Sequence, residues 1–439
     1  MKRTATPTTK TVTLISLGCS KNLIDSERLM AQLKASNIRV SHDNYDPRSE
    51  IVVVNTCGFI GDAKEESIDT ILNYAKEKRR GKIKKLYVMG CLSERYRDEL
   101  AASIPEVDHF YGKFDWSGLV AELGATFRRD MLSERTISTP EHYAYFKISE
   151  GCNRMCSYCA IPLITGRHTS RPMDELLREA QNLARQGVRE LQVIAQDLSS
   201  YGIDLYHESR LAELIGRLSE IDGIDWIRLH YAYPADFPHN ILKIMAENPK
   251  VCRYLDLALQ HISDNMLTKM RRHITKQQTL DLLQEIRSQV PDIHIRTTLI
   301  TGHPGETGED FDELMEFVVS QRFERLGVFP YSHEEDTYSW KHYTDDVPDE
   351  TKALRAEKIM EAQREISAEI NRRKVGTTLR VITDRTEDDK IIGRTEFDSP
   401  EVDPEVVIEQ TENQRIEVGQ FYNVKITSAD DYDIFGRVE

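Results

Sequence analysis

Short apolar runs alternate with amphipathic segments through the first third of the chain. The runs at residues 11–18, 51–56 and 85–90 are rich in β-branched residues and end at a polar residue or a glycine, as buried strands do. Helical patterns over roughly 26–36 and 62–80 lie between them. This alternation predicts a doubly wound parallel sheet, of the α/β class, over residues 11–135.

The remaining chain divides into two further patterns. Six strand candidates, separated by helical patterns, fall short of the eight units that close a full barrel. They predict an open six-stranded (β/α)6 partial TIM barrel over residues 141–370, which ends in a charged amphipathic helix at about 349–374. The six candidates lie at 143–148, 190–195, 226–231, 255–259, 295–301 and 325–331. Short β-like runs at 378–383, 391–395, 406–408 and 421–427 predict a small antiparallel β-barrel over residues 375–439.

A loop with three cysteines follows the first strand of the predicted partial barrel. Cys152, Cys156 and Cys159 have the spacing CxxxCxxC. Three soft thiolates on one loop suit a cubic iron–sulfur cluster and leave one of its four irons without a protein ligand, a position open for chemistry. A zinc knuckle is the alternative, but no fourth Cys or His follows nearby to complete a tetrahedral site.

Three more cysteines each follow one of the three N-terminal strands. Cys19, Cys57 and Cys91 come after the runs at 11–18, 51–56 and 85–90. Ligands gather at the carboxyl ends of parallel strands, so these cysteines are expected to meet and to share a second metal cluster. The alternative is that all three are buried packing residues, as free cysteines often are. Cys252 has no partner pattern and is expected to be a packing residue.

Bulk properties restrict the class of protein. No apolar run approaches the roughly 18 residues of a membrane span, and the N-terminus has no apolar signal core, so a cytoplasmic protein without membrane contact is expected. Seven cysteines without a paired spacing do not indicate a disulfide framework. The formal net charge of −15 disfavours general nucleic-acid binding.

These motifs resemble those of the radical S-adenosylmethionine (SAM) methylthiotransferases, and the resemblance covers nearly the whole chain. The three N-terminal cysteines lie in Ser-Leu-Gly-Cys-Ser-Lys-Asn, Asn-Thr-Cys-Gly-Phe-Ile and Gly-Cys-Leu-Ser-Glu-Arg-Tyr, and the CxxxCxxC loop precedes Ala-Ile-Pro. Ser20-Lys21-Asn22 is similar to the branch that modifies a ribosomal protein, called RimO, whereas the tRNA-modifying branch typically has Gln-Met-Asn there. The C-terminal segment resembles the TRAM module.

The resemblance implies an activity: methylthiolation of the β-carbon of an aspartate in small-subunit ribosomal protein S-twelve. An unactivated C–H bond offers neither an acidic proton nor an electrophile, so radical chemistry carried by a cofactor is the practical route. The family implies two [4Fe-4S] clusters, facing one another across the substrate, and SAM. It further implies an electron donor protein and a sulfur source as partners.

The positions that hold SAM are predicted from strand ends. Gln196 and Gln260 follow strands and offer polar groups, and Arg296 could pair with the SAM carboxylate. Gly302, Pro304 and Gly305 belong to a segment similar to the family's Gly-x-Pro-Gly-Glu-Thr, where backbone could approach a ligand. The alternatives are buried ion pairs for the polar residues and a tight strand-to-helix turn for the glycines.

Charge separates the candidate substrates. Residues 375–439 contain 16 acidic and seven basic residues, the wrong sign for phosphate contacts but suited to a basic ribosomal protein. Direct RNA binding is therefore not expected. Two competing functions stay open: a tRNA methylthiotransferase with a basic groove near Arg171 or Lys269 to Arg272, and an iron–sulfur electron carrier.

Overall fold

The computed structural model describes residues 10–113, 115–409 and 415–439, which form two compact units. One unit comprises the chain up to Ser138 together with Ala160–Arg167. The other comprises Thr139–Cys159 and His168–Glu439. None of the helices in these described ranges combines the length and the apolar character needed to cross a membrane.

The first unit is a parallel sheet covered by helices on both faces. Its strands are β1 (Thr11–Ser16), β2 (Arg39–His42), β3 (Ile51–Thr56), β4 (Lys85–Gly90) and β5 (His109–Phe110), in the order β2-β1-β3-β4-β5. Its helices are α1 (Ser20–Ala35), α2 (Gly61–Arg79), α3 (Cys91–Ser103), α4 (Trp116–Glu122) and α5 (Ile161–Thr165).

Alternate residues of the central strand β3 point into two separate apolar cores, which is why the run is continuously hydrophobic. Val53 packs with α1 and α4, whereas Val52 and Val54 pack with α2 and α3. The predicted doubly wound sheet is confirmed. Strands β2 and β5 were not predicted, because β2 has no fully buried residue and β5 has only two residues, so neither carries a strong apolar pattern.

The second unit contains the partial barrel. Six parallel strands run in sequential order from β6 (Tyr143–Lys147) through β9 (Glu190–Ile194), β10 (Trp226–Ala232), β11 (Val251–Leu257) and β12 (His294–Thr301) to β13 (Arg325–Pro330), and the sheet stays open. Two short strands, β7 (Ser149–Glu150) and β8 (Thr169–Ser170), form a separate antiparallel pair. The helices are α6 (Met173–Arg185), α7 (Ile203–Tyr206), α8 (Leu211–Ser219), α9 (Asn240–Glu247), α10 (Asp264–Lys269), α11 (Lys276–Gln289), α12 (Gly308–Gln321), α13 (Tyr338–His342) and α14 (Asp349–Lys374). The predicted six-stranded partial barrel is confirmed.

A closed five-stranded barrel follows in the same unit. It contains β14 (Thr378–Glu387), β15 (Lys390–Thr395), β16 (Val406–Glu409), β17 (Phe421–Ala429) and β18 (Ile434–Val438), and it closes in the order β14-β15-β16-β18-β17. The sequence predicted a wholly antiparallel barrel, but β16 and β18 pair in parallel. Strand β18 was not predicted. It is the strand that closes the barrel.

This small barrel packs against the amino ends of the partial-barrel strands through buried ion pairs. Glu190, the first residue of β9, lies between the guanidinium groups of Arg228 and Arg394, at 3.0 and 2.8 Å. The ring of Trp226, at the start of β10, contacts the ring of Phe421 at a centroid distance of 4.7 Å. Charges buried this fully are stable only when they are paired. The carboxyl ends of the strands therefore remain available for chemistry.

Candidate cluster sites

The loop of residues 152–159 lies at the carboxyl ends of the partial-barrel strands. Arg154 donates from Nε to Asp197, just beyond β9, at 2.7 Å. Ser157 Oγ is 3.1 Å from His303 Nε2, just beyond β12. Residues that follow two different strands, β9 and β12, thus hold the same loop. This is the edge at which open α/β sheets bind their ligands.

Main-chain contacts also define the conformation of this loop. The Ser157 N–H donates to the Met270 carbonyl oxygen at 3.0 Å, and the Ser157 carbonyl oxygen accepts from the Ser339 N–H at 2.7 Å. Met155 has a positive φ of 53°, which a side-chain-bearing residue adopts at an energetic cost. Because the barrel itself imposes this conformation, the thiols are positioned by the fold.

The thiols of the loop lie in contrasting surroundings. Cys156 Sγ is 3.2 Å from Arg272 Nη1 and 3.7 Å from the hydroxyl oxygen of Tyr233. Cys152 Sγ accepts a hydrogen bond from the Arg154 N–H at 3.5 Å. Burial raises the pKa of Cys152 to about 11, so that thiol is protonated at neutral pH. A metal would have to displace its proton on binding.

The donor set of the loop fits an iron–sulfur cluster. Within the described ranges, no group of three or more His, Cys, Asp or Glu side chains is arranged to hold one metal ion. Cysteine thiolates are the ligands that an iron–sulfur cluster takes, so the three thiols of this loop have the chemistry that such a cluster requires.

The N-terminal cysteines come together in the first unit. Cys19 precedes α1, Cys57 follows β3, and Cys91 begins α3. Cys91 Sγ is 3.3 Å from Asn22 Oδ1, and Asn22 Nδ2 donates to the main-chain oxygen before Cys57 at 2.9 Å. A Cβ atom on Gly18 would lie 2.6 Å from Cys57 Cβ. The three strand ends are thus tied closely, as the sequence predicts.

The three N-terminal thiols differ in acidity. Partial desolvation pushes the pKa of Cys19 upward, but the charge of Lys21 and hydrogen bonding from the Asn22 N–H outweigh it, so the pKa is lowered. Burial raises the pKa of Cys57, and it raises the pKa of Cys91 to about 12. Cys19 is therefore the thiol of the three that ionises most readily.

Two of the predicted SAM contacts lie at the expected edge of the sheet. Gln196 follows β9 and donates to Glu150, while its own Oε1 is buried without a hydrogen-bond partner. Gln260 follows β11 with a positive φ of 72°, and its main chain pairs with residues of β12. Unsatisfied acceptors and strained backbone both concentrate at binding sites. Both positions thus remain suitable for a ligand.

The Gly302–Gly305 turn has a structural explanation of its own. Gly302 and Gly305 have positive φ values of 75° and 77°, and Cβ atoms there would overlap Lys352 and Lys269, respectively. The Gly302 N–H donates to the Glu306 carboxylate at 2.6 Å, and Pro304 is buried. A tight strand-to-helix turn therefore accounts for both glycines without any contact to SAM.

The position of Arg296, the third predicted SAM contact, favours the ion-pair alternative. It lies near the amino end of β12, opposite the cysteine loop, and its Nη1 donates to Asp403 of the small barrel at 2.6 Å. A guanidinium committed to this ion pair cannot reach a ligand at the carboxyl edge. Cys252 is 1% exposed and packs with Trp226 and Tyr254, as a packing residue would.

Two of the basic residues suggested for a tRNA groove are engaged within the protein or buried. Arg171 donates to the buried Glu179 carboxylate at 2.7 Å. Arg272 is 2% exposed. Sequence reasoning missed the contacts of Arg272, Tyr233 and His303 with the cysteine loop. Tyr233 and His303 follow β10 and β12, Arg272 follows α10, and no local spacing connects them.

Family comparisons cover all three regions of the chain. Residues 146–318 match the Radical SAM superfamily, residues 11–112 match Uncharacterized protein family UPF0004, and residues 375–438 match the TRAM domain. The first of these ranges contains the cysteine loop and most of the partial barrel. The second contains all three N-terminal cysteines.

Several relatives align with this chain over almost its full length. The chain is 56% identical to "Ribosomal protein uS12 methylthiotransferase RimO" of Phocaeicola vulgatus, covering 98% of this chain and 99% of the relative. It is 57% identical to the protein of the same name from Bacteroides thetaiotaomicron, with 98% of each chain covered. The protein of that name from Porphyromonas gingivalis is 56% identical, over 97% of this chain and 98% of the relative.

Solved structures share the fold at low identity. A radical S-adenosylmethionine methyltransferase, TsrM, from Kitasatospora setae with cobalamin and a [4Fe-4S] cluster bound superposes with a TM-score of 0.57 at 15% identity, covering 73% of this chain and 72% of that one. The cobalamin-dependent radical enzyme OxsB gives a TM-score of 0.51 at 13% identity, covering 82% and 56%. These similarities concern the fold alone.

Proposed function

This chain belongs to the family of ribosomal protein uS12 methylthiotransferases called RimO, and from that premise we propose that it places a methylthio group on the β-carbon of an aspartate of uS12. It is a radical SAM enzyme that uses SAM and an iron–sulfur cluster. The observation that carries the proposal is a three-thiol loop at the carboxyl edge of a partial barrel, in a chain that aligns with these enzymes over 98% of its length.

We propose that two [4Fe-4S] clusters are held, one by Cys152, Cys156 and Cys159 and one by Cys19, Cys57 and Cys91. Each set has three thiols and so leaves one iron for an exogenous ligand. A cluster in the barrel loop, with SAM bound, supplies the one-electron chemistry that breaks an unactivated C–H bond. The protein contributes position, because ion pairs and main-chain hydrogen bonds hold the loop.

Residues at the carboxyl edge would bind and orient SAM. Gln196 offers a buried acceptor that suits the amino group or a ribose hydroxyl of SAM, and Gln260 lies on a neighbouring strand end. The Gly302–Gly305 turn borders the same edge, but its Gly302 and Gly305 N–H groups already donate to Glu306 and Asp346, so it would shape the edge rather than contact SAM. Burial of these groups would shield a bound SAM from solvent and strengthen the polar contacts that orient it.

The small barrel would favour a basic protein substrate. Two of its acids do not face solvent with a free charge, since Asp398 and Asp403 pair with Arg325 and Arg296 of the partial barrel. Five of the acids that face solvent lie at two turns: Glu387 at the end of β14 with Asp388 and Asp389 after it, and Asp430 and Asp431 between β17 and β18. These acidic turns would attract a basic ribosomal protein and repel phosphate.

The reaction requires partners beyond the substrate. An electron donor protein must reduce the barrel-loop cluster, and a sulfur source must supply the inserted sulfur atom. We propose a cytoplasmic site of action, since ribosomal proteins are made and assembled there.

The test is an anoxic assay of the full chain, reconstituted with iron and sulfide, with SAM and a reductant. Purified uS12 and bulk tRNA are offered in parallel, and mass spectrometry follows the mass gain of one methylthio group on each. We expect modification of uS12 at an aspartate and none of tRNA. Modification of tRNA alone would overturn the substrate assignment, and SAM cleavage without any modification would overturn the transfer activity.

A further inference from the structure

A buried arginine contacts the central cysteine of the barrel loop. Arg272 is 2% exposed and follows α10 at the carboxyl edge. Its Nη1 donates to Cys156 Sγ at 3.2 Å and to the Tyr158 hydroxyl oxygen at 3.2 Å, and its Nη2 donates to the Ala258 carbonyl oxygen. Two of these three partners belong to the loop itself. The guanidinium is thus directed at a proposed ligand sulfur.

The charge of this guanidinium has no carboxylate partner. In the described part of the chain, no Asp or Glu lies in ion-pair contact with Arg272, whereas Arg154 of the same loop pairs with Asp197 and Asp236. The two guanidinium groups stack on the ring of Tyr233, at 4.1 Å for Arg272 and 4.3 Å for Arg154. Arg272 is therefore a buried cation whose nearest potential anion is a cysteine sulfur.

An unpaired buried charge is costly, so a compensating negative charge is expected beside Arg272. The thiolate of Cys156, once it ligates a cluster, supplies that charge. Reduction of the cluster adds one further negative charge and no proton. A fixed positive charge and an N–H···S hydrogen bond favour the reduced state, because hydrogen bonds to the sulfurs and net charge set cluster potentials.

We propose that Arg272 is a positioning residue that raises the reduction potential of the cluster held by Cys152, Cys156 and Cys159, and so brings it within reach of the electron donor. The inference rests on the proposed cluster at this loop. It goes further by naming the residue outside the ligand set that tunes the cluster.

The test is a reductive titration of the full chain followed by electron paramagnetic resonance. The background variant C19S/C57S/C91S leaves the barrel-loop cluster as the only signal. In this background we expect Arg272→Gln to lower the ratio of reduced to oxidised cluster at least tenfold at a fixed potential, which is a shift of about 59 mV for one electron. Arg271→Gln, the same charge change in a neighbouring side chain that stacks on Tyr338, is the matched control and should leave the potential unchanged.

Iron and sulfide content separate the possible failures. A background protein that holds no cluster would overturn the proposed function of this loop. A fully loaded Arg272→Gln protein with the background potential would overturn the inference alone. If Arg272→Gln does not load iron, Arg272→Lys is the deciding variant for the role of Arg272. It keeps the positive charge but lacks the planar guanidinium group that contacts Cys156, Tyr158 and Ala258 together. It should load and show a potential below that of the background, and a potential equal to or above the background would refute the role of Arg272.

Discussion

The ion pairs that join the small barrel to the partial barrel provide the sharpest stability prediction. Glu190 Oε1 accepts from Arg228 Nε at 3.0 Å, and Glu190 Oε2 accepts from Arg394 Nη2 at 2.8 Å. All three side chains are between 0 and 2% exposed. Glu190→Gln keeps the shape, removes the shared negative charge and turns an amide N–H toward an arginine donor. Two buried guanidinium groups are then left close together without their common counter-ion.

We expect this substitution to lower the free energy of unfolding by about 3–5 kcal/mol, the usual cost of removing one partner from a buried pair. Glu387→Gln is the matched control, because Glu387 pairs with Arg385 in the same small barrel but is 61% exposed. An exposed pair contributes about 0–1 kcal/mol. The loss in the free energy of unfolding should therefore be severalfold larger for Glu190→Gln than for Glu387→Gln.

Urea unfolding followed by Trp226 fluorescence measures the effect where it occurs. The chain has three tryptophans, so Trp116→Phe and Trp340→Phe leave Trp226 as the reporter of its contact with Phe421. Burial opposes ionisation of Glu190, but the charges of Arg394 and Arg228 outweigh it, and its folded pKa is lowered. The ionised Glu190 therefore stabilises the folded protein fully above the ordinary pKa of a glutamate. This stabilisation is lost as the pH falls through the lowered pKa of Glu190. The difference in the free energy of unfolding between the wild type and Glu190→Gln should therefore become smaller in acid.

The reasoning would be refuted if Glu190→Gln lowered the free energy of unfolding by less than 1 kcal/mol, the same amount as Glu387→Gln. That result would mean that the desolvation cost of the three charges cancels their attraction. A gap that widens in acid would contradict the assigned direction of the Glu190 pKa.

Three further outcomes are expected. Cys152→Ser should remove about four irons per chain and abolish SAM cleavage, whereas Cys252→Ser, in an apolar core, should leave the iron content unchanged; equal iron loss in both would refute the ligand assignment. Cys19→Ala should spare SAM cleavage and abolish methylthio transfer, as measured by deoxyadenosine release and substrate mass, and equal loss of both reactions would contradict a division of work between two clusters. Gly302→Ala should cost about 1–3 kcal/mol in thermal unfolding because of its positive φ and crowded Cβ, while Gly308→Ala, where a Cβ meets no atom within 4 Å, should be nearly neutral.

The architecture was readable from local patterns where those patterns were strong. Continuous apolar runs such as residues 51–56 predicted the buried central strands, because a strand covered on both faces has no polar side to interrupt it. Strand β18 was missed, since its neighbours in space are β16 and β17 and its own five residues carry little periodicity. The parallel pairing of β16 with β18 could not be predicted either, because pairing direction depends on how the chain closes the barrel.

The site divides in the same way. The spacing of Cys152, Cys156 and Cys159 within one loop was sufficient to predict an iron–sulfur site. The environment of that loop was not predictable, because Tyr233 follows β10 and Arg272 follows α10, and their contacts with the loop appear only when the strands are placed side by side. The ion pair of Arg296 with Asp403 was not predictable for a related reason, since a position on a strand does not reveal which end of the sheet the side chain faces.

The sequence by itself determined the local chemistry of this protein: which thiols exist, how they are spaced, and which segments form strands and helices. These properties depend on neighbours within a few residues, so a linear pattern carries them. Only the tertiary structure decided which charges are neutralised and which remain to act. Glu190 and Arg394 are 204 positions apart, and Cys156 and Arg272 are 116 apart. Their energies come from burial and direct contact, which no linear spacing encodes.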